Sequence, residues 1–155
     1  MSSFFNGLNM SKSIYLQLVR YHQGADAIDG HLSIKGKRVC DCCEQAATAL
    51  APGSYTLHLI HCPFYKRQMI CFNAYCQHCH QPDFVGLNTP TPRYCPQIKP
   101  GNGVHNRTDG SIIVGELLLP GVLRHPNQHF NRLIDRLDKA VRQHKEIQLT
   151  IKSVS

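Results

Sequence analysis

Residues 130–151 have the sequence FNRLIDRLDKAVRQHKEIQLTI, and this stretch contains the clearest periodicity in the chain. Its apolar residues recur at the spacing of one face of an α-helix: Phe130, Leu133, Ile134, Leu137 and Val141. Pro126 suits the first turn of this helix, and Arg142 and Lys145 suit its C-terminal end, where the helix dipole favours positive charge. After the helix, the alternation in residues 147–151 predicts a closing strand.

Shorter segments precede the helix and predict strands, some because apolar and polar residues alternate and one, residues 112–119, because it is an apolar run interrupted at Gly115. These segments are residues 14–18, 31–34, 38–43, 54–61, 67–72 and 112–119. The sequence therefore predicts an α+β domain with a mainly antiparallel β-sheet, one long C-terminal amphipathic helix and a long loop insertion. We expect a flexible N-terminal arm over residues 1–12 and a single mainly-β domain over residues 13–155, with the Cys-rich loop insertion at 71–97.

The bulk composition limits the class of protein. The 155 residues suffice for one domain with its own core, and no apolar run approaches the ~20 residues that cross a bilayer. The N-terminal residues lack the basic and apolar blocks of a signal peptide, so we expect a cytoplasmic protein whose eight cysteines stay reduced. The net charge of +7 permits an anionic partner, although solubility explains this charge equally well.

The stretch CFNAYCQHCH begins at Cys71 and contains three cysteines and two histidines. In a reducing compartment such a cluster favours metal binding over disulfides. Cys76 and Cys79 form a C-x-x-C knuckle, and Cys95 follows after a gap typical of zinc ribbons. The four thiolates of Cys71, Cys76, Cys79 and Cys95 therefore predict a tetrahedral site. Because protein would supply all four ligands, the zinc would be structural.

Several alternatives remain open at these cysteines. His78, His80 or Cys62 can replace one of the four ligands, and the thiols can instead be small buried core residues. Residues 76–80 also match the C-x-x-C-H motif, but covalent haem attachment follows export, so we expect no haem. Three further cysteines fall on a predicted strand and are interpreted as core residues: Cys40, Cys42 and Cys43.

Three segments of the chain carry a resemblance to a known family. They are LAPGSYTLHLIHCPFYKR (50–67), IKPGNGVHNRTDGSIIVGE (98–116) and the helix–strand pair in residues 130–151. Together they resemble a family of small bacterial and phage domains of unknown function, with motifs at Gly53-Ser54-Tyr55, Ile98-Lys99-Pro100-Gly101-Asn102 and Asp109-Gly110-Ser111-Ile112. The resemblance implies an origin in Bacteroides-type bacteria, their phages or their mobile elements.

More distantly, this order of elements is similar to that of L,D-transpeptidases of the YkuD type, which acylate a cysteine beside a histidine with a peptidoglycan peptide. This chain has Ser111 at the position of that cysteine and Lys99 at the position of a turn histidine. The resemblance implies Ser111 as a candidate nucleophile, with Lys99 or His105 as its base. On the same grounds the candidate pocket residues are Tyr55, Glu44, Asn102 and Asp109.

Three functions are compatible with these features. We favour a non-catalytic binding or accessory module with structural zinc, whose partner is a protein or a peptidoglycan-like ligand and not a membrane. A Ser–Lys peptidoglycan-peptide hydrolase or transferase is the first alternative. A nucleic-acid-binding zinc protein is the second, because residues 121–155 contain seven Lys or Arg and three acidic residues. No aromatic side chains alternate with those charges to stack on bases, so nucleic acid is not favoured.

Overall fold

A computed structural model of the chain describes residues 12–62, 66–72, 96–103 and 110–153. These ranges contain nine strands and one helix: β1 (Ser13–Gln23), β2 (Ala27–Ile34), β3 (Lys37–Gln45), β4 (Gly53–Cys62), β5 (Arg67–Cys71), β6 (Gln97–Pro100), β7 (Ile112–Leu119), β8 (Val122–Arg124), α1 (Pro126–Arg142) and β9 (Glu146–Ser153). The helix is too short and too polar to cross a membrane, and these ranges contain no other candidate. The predicted N-terminal arm lies outside the described residues apart from Lys12.

Eight of the strands close into a barrel. Around the ring they follow the order β3, β2, β1, β9, β4, β5, β6 and β7, and β7 pairs with β3 to complete it. The β1–β9 and β6–β7 pairs are parallel, and the other neighbouring pairs are antiparallel. The remaining strand, β8, extends β7 as a short antiparallel hairpin.

The α+β class predicted from the sequence is wrong. Closure depends on the pairs β3–β7 and β1–β9, whose members are far apart along the chain. Alternation shows that a segment is a strand but carries no information about its partner, so it cannot distinguish an open sheet from a barrel. The predicted C-terminal position of the helix is also wrong, because α1 has 17 residues and precedes β9, which lies between β1 and β4.

Most of the predicted elements are confirmed, with bounds that differ by a few residues. Two strands were not predicted. The strand β8 has only three residues, and β6 has four and begins at the last residue of the predicted loop insertion. Strands this short cannot reveal a period of two. Their positions follow from pairing, since β6 pairs with β5 and β7 and β8 pairs with β7.

Alternate residues of the barrel strands point inward, as the period of two requires. The pairing places Leu18 beside Leu32 and Ile151 on one side of the sheet. The buried interior residues are each at most 4% exposed: Leu16, Leu18, Leu32, Ile34, Cys40, Cys42, Leu57, Ile70, Ile98, Ile112, Val114, Ile147, Leu149 and Ile151. An eight-stranded barrel has an interior that side chains of this size can fill.

The three cysteines of β3 are core residues, which confirms their interpretation. Cys40 and Cys42 belong to the main core, and Cys43 packs with Ile113 and Leu123 in a smaller cluster. Burial raises the pKa of Cys40 and of Cys43 to about 12, and it raises the pKa of Cys42 well above its usual range. These thiols therefore stay protonated near neutral pH and are poor metal ligands.

The helix closes one end of the barrel, which we call the helix-capped end. Its buried residues Phe130, Leu133 and Leu137 belong to the same core as the barrel interior. Arg67 at the start of β5 lies 4.8 Å from the centre of the Phe130 ring, and its Nη2 donates a hydrogen bond to Asn131 Oδ1 at 2.6 Å. The amphipathic stripe therefore serves as a lid that contacts strands from around the ring.

Candidate functional site

The opposite end of the barrel is polar, and we define this polar end by Arg20, Glu44, Gln97 and Ser111. Arg20 Nε donates to Glu44 Oε2 at 2.9 Å, and Arg20 Nη2 donates to Glu44 Oε1 at 2.7 Å. The two side chains are only 8% and 1% exposed. Arg20 Nη2 also donates to the carbonyl oxygen of Leu50 at 2.7 Å. The bidentate geometry satisfies a charge pair that would otherwise be costly to bury.

The backbone opposite Arg20 requires glycine. Gly30 pairs with Arg20, and the β1–β2 register shifts between Arg20 and His22. A Cβ atom at Gly30 would lie 2.4 Å from the carbonyl oxygen of Val19, closer than van der Waals radii permit. The close approach of β1 and β2 therefore depends on a residue without a side chain.

Two of the predicted pocket residues, Glu44 and Tyr55, lie at the polar end. Both oxygens of Glu44 accept hydrogen bonds from Arg20, which leaves this carboxylate committed to the ion pair. Tyr55 is half-buried, its hydroxyl donates to the carbonyl oxygen of Ala51, and its ring meets Phe72 edge-on with centroids 5.5 Å apart. These contacts place both side chains in the packing of the barrel end.

The other predicted pocket residues lie elsewhere. Asn102 is exposed beyond the end of β6 nearer the helix, where its backbone carbonyl accepts the Leu123 N–H at 2.9 Å. The structure therefore does not bring Asn102 together with Glu44 and Tyr55. Asp109 and the candidate base His105 lie outside the described residues.

Ser111, the candidate nucleophile, is buried at the start of β7. It is 1% exposed, and its Oγ accepts the backbone N–H of Gln97 at 3.0 Å. The parallel register pairs Lys99 with Ile113, so Lys99 lies two residues beyond the position opposite Ser111. This hydrogen bond supports the junction of β6 and β7 and makes Ser111 a structural residue of the polar end.

One of the four predicted zinc ligands can be described. Cys71 is fully buried at the end of β5, where its Sγ accepts a hydrogen bond from Gln97 Nε2 at 3.6 Å. Cys76, Cys79 and Cys95 lie outside the described residues, and so do the alternative ligands His78 and His80 and the side chain of Cys62. Within the described ranges, no group of three or more His, Cys, Asp or Glu side chains could hold a metal ion.

Sequence analysis missed Arg20 and Gln97, which organise the polar end. A signal for Arg20 was present, because it continues the inward alternation of Leu16 and Leu18 and so occupies a core position. A charged residue in that position predicts a buried partner. Nothing in the sequence identifies Glu44 as that partner, and Gln97 lies in a strand too short to be predicted.

Comparison of the chain with protein-family profiles, with curated proteins and with solved structures finds no match. The resemblance to small bacterial and phage domains and to L,D-transpeptidases therefore stays a prediction that rests on the quoted motifs. Function is inferred below from the residues of this chain.

Proposed function

We propose that the chain is a non-catalytic binding module whose partner is a protein or a peptidoglycan-like ligand. The observation that carries this proposal is the placement of Ser111, which is 1% exposed and accepts the Gln97 N–H at 3.0 Å. An acyl-transfer nucleophile must be accessible to its substrate, whereas the Ser111 side chain is enclosed by the protein. A serine that joins two strands instead supports a domain that keeps the fold without the chemistry.

We also propose that a structural zinc ion orders the segment between β5 and β6 through Cys71, Cys76, Cys79 and Cys95. Cys71 pairs with Gln97, and the Phe72 N–H donates to the Pro96 carbonyl oxygen at 3.2 Å. The two ends of the segment therefore start from neighbouring points of the barrel. An amide donor such as Gln97 Nε2 beside a cysteine sulfur is a contact that supports a thiolate ligand.

Metal analysis of the purified full chain tests the zinc site. We expect about one zinc per chain, loss of zinc in Cys79→Ser, and a lower unfolding temperature after chelation. The matched control is Cys43→Ala, which removes a buried cysteine outside the proposed ligands and should retain the metal. Substoichiometric zinc in the unaltered chain, or full zinc in Cys79→Ser, contradicts the site.

Active-site labelling tests the non-catalytic role. We expect neither a fluorophosphonate nor a β-lactam to form an adduct with the protein, as measured by intact mass. The control variants are Ser111→Ala and Ser54→Ala, the second of which changes an exposed serine of β4. An adduct that disappears only in Ser111→Ala contradicts the proposal and favours the Ser–Lys hydrolase or transferase.

A further inference from the structure

A cavity of about 240 Å³ lies at the rim of the helix-capped end. It is bounded by the start of β1, the β2–β3 turn, the middle of α1 and the residue before β9. Its lining residues are Ser13, Ile14, Tyr15, Lys35, Arg136 and Lys145. Three of these six side chains are cationic and none is acidic, although they come from separate parts of the chain.

No ion pair between described residues involves the three cations of this cavity. Within the described ranges, the ion pairs use Arg20, His22, Arg38, Arg124 and Arg142, and none uses Lys35, Arg136 or Lys145. Glu146 follows Lys145, but it does not line the cavity, and its Oε1 accepts a hydrogen bond from Gln148 Nε2 at 3.0 Å. Three positive charges around one small space attract an anion from solvent.

The backbone at Lys35 supports a role beyond closing the turn. Lys35 and Gly36 have φ angles of 54° and 79°, so both central residues of the β2–β3 turn are left-handed. Such turns prefer Asn or Asp followed by Gly, because a Cβ atom is disfavoured at positive φ and the short polar side chains of Asn and Asp offset this cost by local hydrogen bonds. Lysine at the first position therefore costs turn stability while it supplies a positive charge to the cavity.

We propose that this cavity binds the phosphate group of a small phosphorylated ligand. A phosphate monoester carries a charge of about −1.5 to −2 near neutral pH, which matches three cations better than a carboxylate does. The guanidinium of Arg136 can donate two parallel hydrogen bonds to phosphate oxygens, and the lysines add charge and further donors. The proposal is independent of zinc and of Ser111, because its residues lie at the other end of the barrel.

The size and rim of the cavity indicate the kind of ligand. At about 240 Å³ it lies below the ~300 Å³ of typical small-molecule sites, so it accommodates the phosphate group and not the whole ligand. The ring of Tyr15, which is 66% exposed, offers a flat surface beside it for an adjoining apolar or aromatic group. A nucleic-acid backbone needs a longer basic groove, whereas Arg132 and Lys139 on the same helix do not line this cavity.

Titration of the full chain with inorganic phosphate, adenosine 5′-monophosphate and adenosine tests the proposal by NMR chemical shifts and calorimetry. We expect saturable binding of both phosphates, shifts centred on the six lining residues, and no binding of adenosine. Affinity for the monophosphate should be higher at pH 7.5 than at pH 5.5, because the second phosphate ionisation has a pKa near ~6.

Matched variants separate this cavity from general surface charge. Lys35→Asn suits the left-handed backbone and removes the charge, and Arg136→Gln removes the guanidinium from an exposed helix position. Each should weaken binding of the monophosphate about tenfold. Lys139→Gln is the control, because it removes an exposed cation from the same helix outside the cavity. Unfolding midpoints no lower than that of the unaltered chain confirm that the variants are folded.

Three results would overturn the proposal. The first is the absence of saturable binding by either phosphate. The second is an equal loss of affinity in Lys139→Gln and Arg136→Gln, which indicates diffuse electrostatic attraction. The third is tighter binding of a ten-nucleotide oligothymidylate than of the monophosphate, with losses in both helix variants, which indicates a nucleic-acid surface.

Discussion

The two ends of the barrel are closed by different kinds of interaction. At the helix-capped end, Phe130, Leu133 and Leu137 cover the interior with apolar side chains. At the polar end, Arg20 reaches Glu44 through bonds of 2.7 and 2.9 Å. Apolar packing is non-directional and scales with buried area, whereas a buried ion pair depends on both partners in one geometry. The polar end is therefore the less tolerant of single substitutions.

The two ends of the barrel also have different proposed roles. Phe72 and Pro96, which flank the Cys-rich segment, are hydrogen-bonded to each other beside Cys71 and Gln97 near the polar end. These hydrogen bonds between β5 and β6 hold together the two points from which the Cys-rich segment departs. The helix-capped end instead presents cations around its rim, including Lys35 and Arg136, which form no ion pair with any residue that the structure describes. The zinc and phosphate proposals can thus be tested separately.

Glu44→Ala should produce the largest loss of stability, because it removes one partner of the buried ion pair at the polar end. It leaves the Arg20 guanidinium buried without its carboxylate, so we expect the free energy of unfolding to fall by about 4 kcal/mol in urea denaturation. The double variant Arg20→Met/Glu44→Leu is the control, because removing both charges should restore most of that loss. A double variant as unstable as Glu44→Ala would show that the ion pair is not the cause.

Leu133→Ala should produce a somewhat smaller effect at the helix-capped end. It removes a fully buried side chain from the contact of α1 with the barrel, and we expect a loss of about 3 kcal/mol by the same measurement. Leu133→Met keeps the volume and should cost about 1 kcal/mol. Equal losses in the two variants would argue against packing as the origin of this closure.

Ser111→Ala should have an intermediate effect on the free energy of unfolding. It tests whether Ser111 stabilises the fold. The substitution leaves the Gln97 N–H without this acceptor in a buried position, which should cost about 2 kcal/mol of unfolding free energy. The exposed serine of β4 provides the control, and Ser54→Ala should change stability by less than about 0.5 kcal/mol. If Ser111→Ala were as stable as the unaltered chain, Ser111 would not have a structural role.

Alkaline pH should produce the smallest change in the free energy of unfolding. It tests whether the core at the helix-capped end excludes water from the Cys40 thiol. Burial raises the pKa of Cys40 to about 12 from an ordinary value of 9.0. Between pH 9 and about 12 the unfolded chain loses this proton before the folded chain, so the free energy of unfolding falls as pH rises. We expect Cys40 to contribute a loss on the order of 1 kcal/mol between pH 8 and 10.

The control for this titration is Cys40→Val, which keeps an apolar side chain of similar size and removes the ionisable group. Unfolding free energies of both proteins are measured at pH 8 and pH 10, and the unaltered chain should lose more. Parallel losses in the two proteins would show that the Cys40 thiol is not protected by the core.

Particular residues show how far prediction from the sequence reached. The helix and β4 were predicted because their apolar residues repeat at a regular spacing, and β7 was predicted because it is a short apolar run. The resemblance named Ser111, Glu44 and Tyr55, and the structure places them at one end of the barrel, although as supporting residues. Arg20 was missed because its partner is 24 residues away. The proposed ligands Cys76, Cys79 and Cys95 stay a prediction.

The sequence alone determined which residues face the interior, because the periods of helix and strand are local properties of the backbone. Phe130, Leu133 and Leu137 of α1 and Cys40 and Cys42 of β3 were identified in this way, whereas Val141, assigned to the same stripe, is 39% exposed. Only the tertiary structure decided that β3 meets β7 and that β9 inserts between β1 and β4. It also decided that Arg20 meets Glu44 and that Lys35, Arg136 and Lys145 surround one cavity. These contacts depend on strand register between distant segments, which no local pattern encodes.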